Sequence, residues 1–181
     1  MRAIVVYESI YGNTHTVADH IAAGLRPTFD VTVVPVGEAT RELVSEADLL
    51  VVGGPTHAHG MTRRGTRRSG VDAGLKSDDL SVDPDAEGLG LRDWLRPIEV
   101  RAGMAAAAFD TRFDMLSAFT GRASRGIARR LRHHHCHLAM PPESFLVDKK
   151  QHLLASEAAR ATEWGATLAA VVSAEMPTPA G

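Results

Sequence analysis

The sequence predicts an α/β fold: five strands in a parallel sheet with helices on both faces. Three observations carry that expectation. Short runs such as AIVVY (3–7) and, within ADLLVVGGP (47–55), the stretch after Asp48 are continuously apolar, as strands buried on both faces must be. Between such runs lie segments in which apolar residues return every three or four positions, the period of a helix packed by one face. The two kinds of segment alternate along the chain, which joins parallel strands by right-handed helical crossovers.

The elements follow in order. AIVVY is the first strand. Val17, Ile21 and Leu25, with Ala18 and Ala22 beside them, mark a helix from Thr14 to Arg26 that Pro27 ends. DVTVVPV (30–36) is the second strand, with Pro35 at its end or on a sheet edge. ADLLVVGGP is the third. Residues 61–89 lose all periodicity and read as a long irregular insertion. LRDWLRPI (91–98) is a short helix stopped near Pro97, and GMAAAAFD (103–110) is the fourth strand despite its alanines. GRASRGIARRLR (121–132) is a helix with Ile127 and Leu131 inward. HLAMPPESFLVD (137–148) is a fifth strand broken by two prolines. Ser156 can cap a last helix, in which Ala161, Trp164, Leu168, Val171 and Val172 form the buried face. One domain over 1–173 is expected, with a frayed tail at 174–181.

Composition bounds the function. The 181 residues are 44% hydrophobic and 23% charged, ordinary for a globular protein, and no apolar run approaches the roughly 20 residues of a membrane span. The N-terminus lacks a signal peptide's long apolar core, and the single Cys136 rules out an internal disulfide framework, so a reducing, cytoplasmic setting is expected. A net charge of −2 does not advertise nucleic acid or an acidic membrane as partner. Charge is nevertheless blocked: TRRGTRRSG (62–70) carries four arginines, KSDDLSVDPDAEG (76–88) five acids, and RASRGIARRLR (122–132) is basic again. Such blocks are either solvated faces or anion and partner surfaces.

In parallel sheets ligands bind beyond the carboxyl ends of the strands, here the loops after residues 8, 53 and 110. The first, YESIYGNTH (7–15), opens a helix, whose free N–H groups and dipole favour an anion. Gly12 permits a positive φ, and Ser9, Asn13 and Thr14 add neutral donors suited to a phosphate. The competing reading is that Asn13 or Thr14 caps the helix and nothing more.

Val5, Val6, Tyr7, Ser9, Gly12, Thr14, Ala18 and Ile21 stand at the fixed positions of a signature joining strand, loop and helix, and in this the stretch resembles the flavodoxin family. The resemblance, which extends to the order of elements over nearly the whole chain, implies a flavodoxin-like sheet in the order 2-1-3-4-5 and non-covalent FMN as cofactor. It assigns the FMN phosphate to Ser9, Tyr11, Gly12, Asn13 and Thr14. Two further loops would sandwich the flavin ring: Pro55, Thr56, His57 and Ala58 from GGPTHAHGM (53–61), and Phe109, Asp110 and Thr111 from AFDTRF (108–113). Pro-Thr after Gly-Gly also resembles the FMN-binding quinone reductases of this fold.

The chain departs from electron-carrying flavodoxins in having 5% aromatics, histidines His57 and His59 where a stacking ring is usual, and Arg63, Arg64, Arg67 and Arg68 in place of an acidic rim. Cations near the flavin would favour its anionic reduced form and raise the potential; the competing reading pairs these arginines with the acids that follow. The expected function is FMN-dependent electron transfer or oxidoreductase activity, such as an NAD(P)H- or quinone-linked reaction, with an unidentified redox partner or small electron acceptor. The alternative is a flavodoxin-fold binding or regulatory module without redox chemistry. No acid–base pair is singled out among Glu8, Asp110 and Asp114, and no metal site is assigned. RHHHCHL (132–138) contains good metal ligands, but adjacent residues point in different directions, and a metal module using His133, His135, Cys136 and His137 is the least favoured reading.

Overall fold

The computed structural model describes residues 1–57, 60–77, 80–116 and 120–175. Its strands are β1 (Arg2–Tyr7), β2 (Asp30–Pro35), β3 (Leu49–His57), β4 (Gly60–Met61), β5 (Ala105–Phe113), β6 (His137–Leu138) and β7 (Glu143–Val147). Its helices are α1 (Asn13–Leu25), α2 (Arg41–Ser45), α3 (Arg64–Gly74), α4 (Leu91–Trp94), α5 (Ala123–His133) and α6 (Glu157–Glu175).

The sheet runs β2-β1-β3-β5, all parallel, and continues beyond β5 with two short strands. β6 pairs with Ala105 and Ala106, and β7 pairs with Phe109–Phe113, so together they form one interrupted ribbon beside β5. The sheet therefore has seven strands rather than five, because Pro141 and Pro142, which lack N–H donors, divide the last ribbon and because β4 folds back on the end of β3. In ribbons the order is the expected 2-1-3-4-5. Among the described residues no helix is long and apolar enough to cross a membrane.

Alternation explains the continuous apolar runs. Ile4, Val6, Leu50, Val52, Ala106 and Ala108 face a core shared with Trp94, Ile127 and Leu131. Their neighbours Ala3, Val5, Leu49, Val51, Ala107 and Phe109 face the opposite core, with Ile21, Leu25, Trp164 and Leu168. On that second face α1 and α6 cross at two glycines. A Cβ on Gly24 would lie 2.1 Å from the Thr162 carbonyl oxygen, and one on Gly165 would lie 2.3 Å from that of Ile21. Gly53 has a comparable role at the end of β3, where the Phe109 ring occupies the space a side chain would take.

Residues 61–89 are not irregular throughout, which corrects the sequence expectation. They contain β4 and the 11-residue α3, whose inward positions Arg67, Gly70, Val71 and Gly74 do have helical spacing. Three of those four are arginine or glycine, so no apolar period marks the helix. The short α2, with only Val44 buried, is also unmarked by pattern. α6 runs to Glu175, past the expected end of ordered structure at 173; Val171 lies partly exposed, and the other four expected core residues of that helix are buried. The remainder of the expected tail, 176–181, lies outside the described residues.

Candidate functional site

The loop after β1 settles its own ambiguity. Gly12, at φ 81°, is the N-cap of α1, and no side chain caps that helix. The polar side chains act elsewhere. Ser9 Oγ accepts from Gly12 N at 3.0 Å, which tightens the loop. Thr14 Oγ1 lies 2.8 Å from Thr111 Oγ1, tying the start of α1 to β5. Asn13 Nδ2 donates to the Gln151 carbonyl at 2.6 Å. By helix geometry the first-turn N–H groups of Asn13, Thr14 and His15 have no intrahelical acceptor, so the positive end of α1 is left open.

That end faces a cleft along the carboxyl ends of the strands, formed by Ser9, Ile10, Tyr11, Asn13 and Thr14, by Pro55, Thr56 and His57, and by Thr111, Arg112 and Phe113, closed by Val147 and Gln151. All three predicted loops therefore meet. Its enclosed part is about 80 Å³, room for a phosphate group and well below the ~300–1,000 Å³ of a pocket that engulfs a small molecule. Gln151 stands at φ 65°, a left-handed conformation that costs a non-glycine residue about 1 kcal/mol or more; its carbonyl is the one Asn13 holds.

Two expected residues do not line the cleft. Phe109 is fully buried beneath Gly53, edge-on to Phe145 at 6.2 Å between ring centres. Asp110 is equally buried and turns toward α5, where Oδ2 accepts from Ser124 N at 2.7 Å while Oδ1 has no hydrogen-bond partner. Strand alternation sends Thr111 to the α1 side and Asp110 to the α5 side, whereas Phe109 shares the face of Thr111 but lies one step deeper, under Gly53. Burial raises the Asp110 carboxyl above its ordinary range, against the lowering effect of the hydrogen bond from Ser124 N. Thr56 Oγ1 is engaged as well, accepting from Ala123 N at 2.8 Å. Ala58 and His59 lie outside the described residues.

Arg112 is a cleft residue that sequence reading missed. Its Nη1 donates to the carbonyls of Phe113 and Met115 at 3.1 and 2.6 Å, and its buried Nε has no partner. Its signal is its place directly after Thr111 at the same strand end. Within the arginine block at 62–70, Arg63 lines a groove beside His57, whereas Arg64, Arg67 and Arg68 line another between α3 and residues 86–88. Among the described residues only Arg67 of the four meets an acid, and that acid is Glu8.

The insertion braces the loop from behind. Asp83 N donates to the Ile10 carbonyl at 2.8 Å, Tyr11 Oη donates to the Gly70 carbonyl at 2.8 Å, and Ile10 packs with Val71 and Ala86. Gly74 admits the Tyr11 ring here, because a Cβ on it would lie 2.7 Å from Val82 and 2.9 Å from that ring. Tyr7 stacks on His15 with ring centres 4.4 Å apart, and His15 Nδ1 sits 3.6 Å from Asp83. Burial, reinforced by Asp83 and Asp85, pushes the Tyr7 hydroxyl well above its ordinary value, so it stays protonated.

The histidine run is dispersed. His134 Nε2 is 2.8 Å from the Leu95 carbonyl, His137 pairs with Glu175 at 3.3 Å, and Cys136 is buried with its thiol pushed up to about 11. Among the described residues no three His, Cys, Asp or Glu side chains converge as a metal-holding group.

A parallel sheet of this order, with an open helix terminus and three loops at the strand ends, defines a flavodoxin-fold protein. The flavodoxin family model matches residues 5–89. A flavodoxin from the domain Archaea is similar at a TM-score of 0.64 and 21% identity, over 96% of this chain and 99% of that one. Flavodoxin 1 from Bacillus cereus is similar at 0.64 and 15%, over 98% and 100%. A WrbA-like protein from Agrobacterium tumefaciens is similar at 0.64 and 15%, over 97% and 99%. No curated protein sequence matches significantly. Over residues 5–89 the chain matches the flavodoxin family model, and along its length it has the flavodoxin fold; flavodoxins are redox proteins whose cofactor is FMN.

Proposed function

We propose that this chain is an FMN oxidoreductase that holds its flavin in the cleft along the strand ends. The observation that carries the reading is the open N-terminus of α1. Its loop hydroxyls and amide are arranged around the helix end without capping it, which leaves N–H groups for a phosphate. Ser9, Gly12, Asn13 and Thr14 are the residues to hold the FMN phosphate, with Tyr11 beside them. Pro55, Thr56 and His57 on one side and Thr111, Arg112 and Phe113 on the other are those to border the ring. Thr56 contributes through its backbone, its hydroxyl being committed to α5. Because the enclosed volume is small, the ring is held along the strand ends rather than swallowed. Bound FMN supplies one- and two-electron chemistry. The protein positions it, shields one side from water and sets the surrounding charge.

An oxidoreductase is favoured over an electron shuttle because the rim is cationic. Arg112 lies in the cleft and Arg63 beside it, where a shuttle that docks through an acidic face would carry carboxylates. Arginine suits an anionic small-molecule substrate. The first experiment is the visible spectrum of the purified protein followed by FMN titration of the colourless fraction. Stoichiometric uptake that falls about tenfold or more in Thr14→Val is expected, since a charge-assisted phosphate contact is worth ~1.5–3 kcal/mol. Folded protein that takes up no FMN would overturn the reading.

A further inference from the structure

Some arginines outside the cleft are matched by carboxylates. Arg2 pairs with Glu46, Arg41 with Glu99, Arg101 with Asp48, and Arg160 with Glu143 and Glu157. One region gathers five that are not. A groove of about 460 Å³ is lined by His57, Arg63, Arg92 and Arg129, with no acid among its lining residues. A second, of about 380 Å³, continues from it through the shared Arg129 to Arg96, Arg130, His133 and His134. None of these five arginines has a carboxylate within 4.0 Å among the described residues. Arg92 is fixed by the carbonyls of Thr62 and Met61, at 3.1 and 2.9 Å, which orient its guanidinium without neutralising it. Arg130 Nε is buried and unpartnered. Burial lowers the Arg130 guanidinium below its ordinary value, and Arg92, Arg96 and Arg129 lower it further, with Asp93 the acid that opposes them.

Like charges held together at a cost in repulsion, with donors unspent, mark a place where an anion completes the structure. We propose that these joined grooves bind a phosphorylated dinucleotide of the NADP type. Each recess lies within the ~300–1,000 Å³ of ordinary small-molecule pockets, and two recesses joined at Arg129 offer a place for each half of a two-part molecule. Planar guanidinium forks match phosphate oxygens, and spreading them over two recesses matches phosphates separated along a chain. The orientation follows from His57, which lines both the first groove and the strand-end cleft: one end of the ligand reaches the flavin's border while the other extends along α5. The groove between α3 and residues 86–88 is a weaker candidate, because Asp72 and Glu87 share it with its arginines and Arg67 is held by Glu8 and Gly88.

The flavin-side orientation rests on the FMN reading; the binding itself does not. The test is calorimetric titration of NADP⁺ into FMN-loaded and FMN-free protein at low salt, with Arg129→Ala, Arg63→Ala and, on the far side of the molecule, Arg26→Ala. Loss of a guanidinium–phosphate contact weakens binding about tenfold or more, so Arg129→Ala and Arg63→Ala should each do so, while Arg26→Ala stays within about twofold. No binding of NADP⁺ at millimolar concentration would overturn the proposal, as would an equal loss in Arg26→Ala, which would reveal general attraction only. Retention of poly-glutamate by protein that ignores NADP⁺ would overturn it in favour of an acidic protein partner. A protein that takes FMN but not NADP⁺ sinks this inference alone. One that binds NADP⁺ with the expected variant pattern but refuses FMN sinks only the cofactor reading.

Discussion

Arg67→Met tests how the insertion is fastened to the candidate site. Arg67 is 8% exposed and Glu8 4% exposed, with Arg67 Nη1 at 4.0 Å from Glu8 Oε1. Glu8 also accepts from Leu91 N at 2.7 Å and from Thr62 Oγ1, and Arg67 Nη2 donates to the Gly88 carbonyl at 2.9 Å. Removing one member of a buried ion pair costs about 3–5 kcal/mol because the other charge is stranded. The carboxylate here keeps two donors and the separation is at the long edge of a pair, which places Arg67→Met near the lower end, about 3 kcal/mol. Glu8→Gln keeps an acceptor but strands the guanidinium and should cost about as much. The double variant, with no charge left to strand, should fall short of the sum by about 1–2 kcal/mol. Urea unfolding followed by circular dichroism reads all three. With a slope of ~1–3 kcal/mol/M, the single variants lose about 1–3 M in midpoint. FMN affinity should fall with them, since Ser9 follows Glu8 directly and the insertion braces Ile10 and Tyr11. Single variants within about 0.3 M of wild type, an effect under ~1 kcal/mol, would show that the insertion is not held by this pair.

Three further outcomes are expected. Burial raises the Asp110 carboxyl, so the folded state binds its proton more tightly than the unfolded one. Asp110 therefore favours the fold at low pH and opposes it progressively as pH rises from the ordinary carboxylate range through its raised value. Asp110→Asn keeps an acceptor for Ser124 N, so it should gain in thermal stability at pH 7 relative to wild type and lose that advantage toward pH 4; a larger advantage at pH 4 would reverse the reasoning. Gly165→Val places atoms against the Ile21 carbonyl across α1 and α6 and should destabilise by about 3 kcal/mol or more, overpacking against backbone having no flexible side chain to yield; an unchanged melting temperature would contradict the crossing. Arg112→Leu removes a cation from the cleft and should lower the potential of bound FMN by on the order of 60 mV, the equivalent of about 1.4 kcal/mol for one electron; spectroelectrochemistry showing no shift would place Arg112 away from the flavin's charge.

How much the sequence reveals depends on which kind of residue does the packing. Where aliphatic side chains do it, as in β1, α1, β3 and α5, element and inward face are legible from period alone. The alanines of β5 were readable as strand because the run ends in Phe-Asp-Thr, although alanine prefers helix. α3 was not legible, since its packing is done by glycines that admit Tyr11 and Ile10 and by an arginine whose partner lies 59 residues away at Glu8. The same distinction holds in the site. The three loops are legible from their places at strand ends, but the sequence does not show that Asp110 turns to the opposite face or that Phe109, on the cleft face, lies buried beneath Gly53.

The absence of lysine from YESIYGNTH now has a physical sense. A lysine would bring positive charge on a flexible stem, whose rotamer freedom would have to be lost on binding. This loop instead fixes its donors beforehand: Ser9 tightens the turn, Thr14 is tied to β5, and Tyr11 and Ile10 are held by α3 and Asp83. Positive charge comes instead from Arg112 in the cleft and from the arginines beyond His57. On the FMN reading proposed above, separating the two roles would let the phosphate be recognised by rigid neutral donors while other residues set the charge around the ring. An arginine near the ring can then be replaced with little change in phosphate binding, and a loop hydroxyl can be lost with little change in potential. Arg112→Leu and Thr14→Val should therefore separate, the first shifting potential more than affinity and the second affinity more than potential. Variants that moved both quantities together would mean that phosphate binding and flavin electrostatics share one set of groups.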